Sequence, residues 1–256
     1  MRTPRLSAAL VPALVATLAA MAACTGSDTD PTGDTDASTA VCTEPKEVSC
    51  EDDLILTLGM QDFVSTGAVG TTQDGGDFLT TIDATAGGFG QSDSNPWVYV
   101  RFTANGAEKV EIDDETALGD MSWHLAAKRF ILRLNGGSSG PSCVGAAPFL
   151  EREYSDLTEV PAGTRFVEDD YYTEDCTIVN DSSGLPNSPQ VAMGAWWEYP
   201  GCVQTTGVPF LVQLDSGEVI RVRVESYYAT DQDVCNNTGT GGSGGGNLTL
   251  RWSFVE

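Results

Sequence analysis

The sequence predicts a mostly β fold, a single domain of antiparallel strands joined by long loops, and three observations carry that expectation. Apolar and polar side chains alternate at period two in several short runs, which gives each strand one buried and one wetted face. The 28 glycines and 12 prolines fall largely between those runs, where turns need them. No segment beyond the N-terminal leader sustains a helical period.

In chain order, residues 54–58 (Leu-Ile-Leu-Thr-Leu) form a short apolar run taken into the strand set. Val98, Val100 and Phe102 alternate with Tyr99, Arg101 and Thr103, and Phe130, Leu132 and Leu134 alternate with Arg129, Ile131 and Arg133. The pair Asn135-Gly136 then suits a turn with positive φ. Ile220, Val222 and Val224 alternate with Arg221, Arg223 and Glu225, while Leu248, Leu250, Trp252 and Phe254 share one face of a closing strand. The run GTGGSGGG at 239–246 reads as a flexible connection within a hairpin. Residues 168–207 read as one long loop, a length that in a compact domain is often functional.

Composition narrows the function. The 256 residues carry 13 Lys and Arg against 37 Asp and Glu, a formal charge of −24. Losing Arg2 and Arg5 with the leader takes this to −26. Nucleic-acid binding needs Lys and Arg to neutralise phosphates, so nucleic acid is excluded as a partner. The single histidine, His124, cannot build a His-rich metal site, and no metal site is expected.

Residues 1–23 read as a secretory signal: Arg2 and Arg5 precede a mostly apolar stretch that ends in Ala22-Ala23. Met21-Ala22-Ala23-Cys24 resembles a bacterial lipobox, which makes Cys24 the lipidation site. Thr25 in place of Asp favours sorting to the outer membrane. Residues 24–41 then form the lipidated cysteine and an acidic tether, and a coil of that composition reaches about 20 Å. The remaining cysteines, Cys42, Cys50, Cys143, Cys176, Cys202 and Cys235, are even in number in an exported chain and read as three disulfides. Cys42 and Cys50, close in sequence, are expected to pair, and the other four remain unordered. The β domain spans residues 42–256.

The stretch Ser122-Trp123-His124-Leu125-Ala126-Ala127-Lys128-Arg129-Phe130-Ile131-Leu132-Arg133-Leu134-Asn135-Gly136-Gly137-Ser138-Ser139-Gly140 resembles the hallmark of the HmuY family of bacterial lipoproteins. There a Trp-led strand runs into an Arg-x-Asn-Gly-Gly-x-Ser-Gly turn. Residues 210–217 and 219–228 are similar to that family's strand, Asp-x-Gly turn and Ser-Tyr-Tyr unit, so the resemblance covers about 97–255 in patches. It implies an HmuY-like β domain, lipid-anchored at the envelope, that captures haem without catalysis, with an outer-membrane receptor as partner. The family's best-known members hold iron with paired His, or with Met in some relatives; one histidine excludes the first arrangement here.

Within 168–207 the candidates for contact with haem are Met193, Tyr171 and Tyr172 near the metal and Trp196, Trp197 and Tyr199 as a flat wall. Met193 equally suits a gap between aromatic side chains in a core. His124, opposite Trp123 and Leu125 on a strand, reads as a surface or hydrogen-bonded histidine. The acidic run Glu168, Asp169, Asp170, Glu174 and Asp175 suits a solvated face better than a sugar or calcium site. The other use of the aromatic loop is as a carbohydrate- or protein-binding adhesion module. Haem propionates would need a local Arg or Lys within so acidic a chain.

Overall fold

The computed structural model describes residues 41–185 and 188–255. The signal, Cys24 and the tether up to residue 40 lie outside the described residues. Among the described residues no helix is long and apolar enough to cross a membrane.

The structure is mostly antiparallel sheet. The strands are β1 (Val69–Asp74), β2 (Asp77–Asp83), β3 (Val98–Thr103), β4 (Gly106–Val110), β5 (Leu125–Lys128), β6 (Ile131–Leu134), β7 (Gly145–Pro148), β8 (Trp197–Glu198), β9 (Gln204–Thr205), β10 (Phe210–Gln213), β11 (Val219–Thr230) and β12 (Ser243–Phe254). Six of them order β1-β2-β12-β11-β10-β7 and four order β4-β3-β5-β6, while β8 and β9 form a small hairpin. The apolar faces of the two larger sheets share one core, with Val98, Val100, Leu125 and Leu132 on one side and Val222, Leu248, Leu250 and Trp252 on the other.

Period two held best on β12, where Leu248, Leu250 and Trp252 are buried and the residues between them partly exposed. The four-stranded sheet departs from the expected wet face: β5 is buried throughout, and Tyr99 on β3 is as buried as Val98. A second core covers that outer face, built from Trp97, Tyr99, Trp123, Ala126, Leu54, Leu58, Tyr171 and Tyr172. Residues 54–58 are therefore not a strand. They lie in α1 (Glu51–Thr57) and its cap, because Leu54 and Leu58, four apart, project onto one side where they cover Trp97. Glu51, Asp52 and Asp53 fill the first turn, where the helix dipole favours negative charge. Two further short helices, α2 (Asp114–Ala117) and α3 (Gln232–Thr238), also break the all-strand expectation, and α3 occupies part of the β11–β12 connection.

The disulfides are Cys42–Cys143, Cys50–Cys176 and Cys202–Cys235, which corrects the expected Cys42–Cys50 pair. Proximity in sequence lost to tertiary placement. Cys42 lies against the β10–β11 turn, where its N–H donates to the Asp215 carbonyl, within reach of Cys143 in the loop after β6, and Cys50 caps α1 beside the 171–178 segment. Residues 168–207 are thus held through Cys176 to the start of the domain and through Cys202 to α3.

The motif around Asn135 has a packing origin. Asn135 is fully buried; its Nδ2 donates to the carbonyls of Asp120 and Trp123, and its Oδ1 accepts from the Ser142 N–H. The positive φ falls at Gly137 (61°) rather than at Gly136, and a Cβ there would lie 1.9 Å from the Asp169 carbonyl oxygen. At Gly140 a Cβ would sit 2.3 Å from Asn135 Oδ1. Glycine is required at both positions because the loop runs against its neighbours with no room for a side chain.

Candidate functional site: an aromatic cleft at the β5–β6 turn

The β5–β6 hairpin turns through two residues, Arg129 and Phe130, between the paired Lys128 and Ile131. Arg129 has φ 55°, a left-handed conformation that glycine normally supplies at this point of a tight hairpin. A non-glycine residue held there costs about 1–3 kcal/mol, and such residues concentrate at binding sites. Its side chain is fixed by hydrogen bonds from Nη1 to the carbonyls of Thr85 and Gly245, and its guanidinium lies 5.7 Å from the Tyr227 ring centroid.

Lys128 precedes it. Its Nζ donates to the Leu58 and Gly59 carbonyls at 3.1 and 2.9 Å and lies 5.6 Å from the Trp97 ring centroid. Burial pulls the Lys128 ammonium down to about 8, against the attraction of Asp114 and Asp93. Asp114 is moved the other way, up to about 6, because burial outweighs the N–H groups of Gln61 and Trp97 that its carboxylate accepts.

These two cations border a cleft of about 620 Å³, within the range of small-molecule sites. Aromatic walls come from Phe130, Tyr227, Tyr228, Tyr199 and Phe89, with Trp97 at the base. The β11 tyrosines owe their placement to a double irregularity in the β11–β12 register, at Val224/Ser226 and Ser226/Tyr228. Bulges re-aim side chains and leave backbone groups without ladder partners. Gln232 at the start of α3 meets that need, its Oε1 accepting from the Tyr227 and Tyr228 N–H groups and its Nε2 donating to the Val203 carbonyl. Asn236 Oδ1 accepts from the Thr205 N–H, so α3 and Cys202–Cys235 clamp the β8–β9 hairpin whose tip carries Tyr199.

Neither Lys128 nor Arg129 has a carboxylate ion pair among the described residues, a condition they share with Arg101, Arg133, Arg152 and Arg165 but not with Lys46, Lys109, Arg221, Arg223 or Arg251. Asp93 also borders the cleft, so two positive charges face one negative there. In a protein this acidic, a locally cationic aromatic cleft is an arrangement suited to an anionic, flat ligand.

The residues singled out from sequence separate. Tyr199, 47% exposed, borders the cleft. Met193, Trp196 and Trp197 lie in the main core, with Met193 wholly buried and Trp196 Nε1 donating to the Phe130 carbonyl behind the cleft wall. Tyr171 and Tyr172 lie in the second core, where the Tyr171 hydroxyl meets Ser139 Oγ and the Tyr172 hydroxyl donates to the Asp53 carbonyl. His124 is buried and hydrogen-bonded: Nδ1 accepts from the Phe102 N–H and Nε2 pairs with Asp215, which assigns the proton to Nε2. Trp123 and Leu125 do not share a face, because His124 sits at a bend before β5 begins. Of the acidic run, Glu168 pairs with Lys46, Asp169 is wholly buried and Asp175 accepts from Thr173, so the carboxylates point to separate partners.

Lys128, Arg129, Phe89, Tyr227 and Tyr228 escaped the sequence reading. Lys128 and Arg129 were legible only within the Trp-led block and Tyr227 and Tyr228 only within the Ser-Tyr-Tyr unit, while the cue for Phe89 was an aromatic residue inside the glycine run Gly87-Gly88-Phe89-Gly90.

Fold and cleft together define the class, an antiparallel β scaffold presenting a ligand-sized aromatic cleft. The chain belongs to the HmuY protein family, whose model matches residues 93–239, more than half of its length. No curated protein matches it. Among solved structures it is similar to a Bacteroides vulgatus protein provisionally described as HmuY-like and heme-binding (17% identity, TM-score 0.43, covering 72% of this chain and 97% of that one). It is also similar to a Tannerella forsythia apo HmuY analog (16%, 0.39, 75% and 98%). A Bacteroides fragilis protein provisionally described as a lipoprotein aligns at 16% and 0.42, covering 75% and 96%. The family assignment rests on the sequence match, not on these superpositions.

Proposed function

We propose that this protein captures haem in the cell envelope without catalysis, and that the β5–β6 cleft is the binding site. The observation that carries the reading is the meeting of aromatic walls with two cations, Lys128 and Arg129, that have no ion-pair contact among the described residues and outnumber Asp93, the acidic residue bordering the cleft. Haem is flat, apolar over its faces and anionic at its propionates, and it meets the acidic protein where local charge is reversed. Arg129 is the propionate partner, being the more exposed of the two cations. Lys128 has two of its three N–H donors engaged and adds its charge from the cleft base. Iron accepts tyrosine oxygen, and Tyr199 is the exposed phenol of the cleft. Met193, Tyr171 and Tyr172 remain candidates only if the long loop rearranges.

A haemin titration of the exported, oxidised chain, followed by its Soret absorbance, tests this. Saturable one-to-one uptake is expected, weakened about tenfold by Arg129→Gly, a loss of about 1.4 kcal/mol. Glycine relieves the backbone strain at that turn, so the weakening should come without a matching fall in unfolding midpoint. Tyr199→Phe should alter the spectrum, whereas Met193→Ala should leave it unchanged while destabilising the core. Uptake should weaken as pH rises through about 8, because Lys128 then loses its proton and its attraction for the carboxylates. Absence of a saturable shift would end the haem reading and turn the cleft toward other planar anions.

Anchoring belongs to the same proposal. The reading of Cys24 as the lipid attachment point predicts that the unaltered chain sediments with membranes and that Cys24→Ser releases it to the soluble fraction. Equal sedimentation of the two would count against a lipid anchor at that residue.

A further inference from the structure

Phe89 is 99% exposed, and no other described hydrophobic side chain is more so. It stands at the rim of the cleft, at the tip of the loop between β2 and β3. Four neighbours in that loop have positive φ: Ala86 (47°), Gly87 (74°), Gly88 (94°) and Gly90 (85°). Around Gly88 and Gly90 a Cβ would meet nothing within 4 Å, so the residues flanking Phe89 have open space in which to swing. The base of the loop is firm by contrast. Asp83 Oδ1 accepts from both the N–H and the hydroxyl of Thr85, and the Thr85 carbonyl receives the Gly88 N–H and Arg129 Nη1. Below the tip, the Asn95 amide donates to the Gln91 carbonyl at 2.8 Å.

A large apolar ring left in water on a glycine-flanked tip, beside an aromatic cleft and tied at its root to the cleft's own cation, is an unfinished binding wall. We propose that Phe89 is a ligand-contacting residue, an aromatic flap that closes on the open face of a planar ligand held in the cleft. This rests on the reading of the cleft as a haem site and adds the residue that completes it. Closing removes Phe89 from water and covers the ligand face that the fixed walls leave open, and stacked rings favour that geometry. Affinity gained in this way lies in slower release more than in faster capture.

The test uses the full exported chain loaded with haemin, with transfer to an excess of an apo-haem protein reporting dissociation. Phe89→Ala should speed release about tenfold, equivalent to about 1.4 kcal/mol, and Phe89→Trp should restore slow release. Because residue 89 is exposed, neither change should move the unfolding midpoint. Hydrogen exchange of the 86–91 amides should slow when haemin is added to the unaltered chain. In a chain that takes up haemin, unchanged release from Phe89→Ala, or exchange that does not slow, would overturn the flap while leaving the haem site standing. No saturable uptake by the unaltered chain would overturn both.

Discussion

Replacing Asp169 by alanine is expected to remove about 3–5 kcal/mol of stability, the range for taking one partner from a buried charged network. Asp169 is wholly buried between the family-motif loop and the long 168–207 segment. Its Oδ2 accepts from the Leu134 N–H at 2.8 Å and the Ser139 hydroxyl at 2.6 Å, and its Oδ1 accepts from the Ala192 N–H at 2.7 Å. Its carbonyl accepts from the Ser138 N–H and leaves no room for a Cβ on Gly137. Arg133, also wholly buried, sits within its field, donates from Nη2 to the Ser139 carbonyl, and lies 4.7 Å from the Trp97 ring centroid. Alanine would strand three donors and remove one of the two buried carboxylates whose charges offset Arg133, the other being Asp114, and unsatisfied buried groups bear their full desolvation cost. Urea unfolding would register the change as a fall in midpoint at unchanged slope. A loss below about 1 kcal/mol would mean that water reaches this network and the residue is not the keystone described.

Deleting the Cys50–Cys176 disulfide by a double serine substitution should be the second large effect, about 4 kcal/mol in the chain-entropy account, because with Cys42–Cys143 intact the loop it closes is about 40 residues rather than its sequence separation of 126. The same account gives about 4 kcal/mol for Cys202–Cys235, whose separation is 33. The first bond also holds α1 against the second core. Leu54 and Leu58 pack there, and the Leu58 and Gly59 carbonyls hold Lys128. Its loss should therefore weaken binding at the cleft base as well as stability, while loss of Cys202–Cys235 should act through the β8–β9 hairpin and Tyr199. The unfolding midpoints of the two oxidised variants should therefore fall by similar amounts, and weaker haemin uptake at the cleft base distinguishes the first. A cost for Cys50–Cys176 well above that for Cys202–Cys235 would show that Cys42–Cys143 does not shorten the loop in the unfolded chain.

How much could be read in advance varies with the range of the interaction. Alternation on β11 and β12 announced antiparallel strands because each strand's buried face is written in its own residues. The Trp123 to Gly140 block was legible as a unit, since a hairpin and its following turn close within twenty residues. Residues 54–58 misled because a five-residue apolar run carries no period of its own. Only the spacing of Leu54 and Leu58, once Trp97 lay beneath them, distinguished helix from strand. Residues 168–207 are not one structureless loop, since they contain the β8–β9 hairpin, and of the aromatic side chains named in them only Tyr199 borders the cleft. Aromatic residues near one another in sequence can enter two different cores, and Met193 with Trp196 and Tyr171 with Tyr172 did so.

The sequence by itself determined the mostly antiparallel β class, the expectation of an exported acidic chain, the use of six cysteines in disulfides and the motif that marks the HmuY family. Each of these depends on composition or on contacts within a few residues. Tertiary structure alone decided the cysteine partners, the burial of His124 and Asp169, and the meeting of Arg129, Tyr227, Tyr199 and Phe89 around one cleft. Those outcomes depend on which strands lie side by side across more than a hundred residues, and local pattern carries no record of that choice.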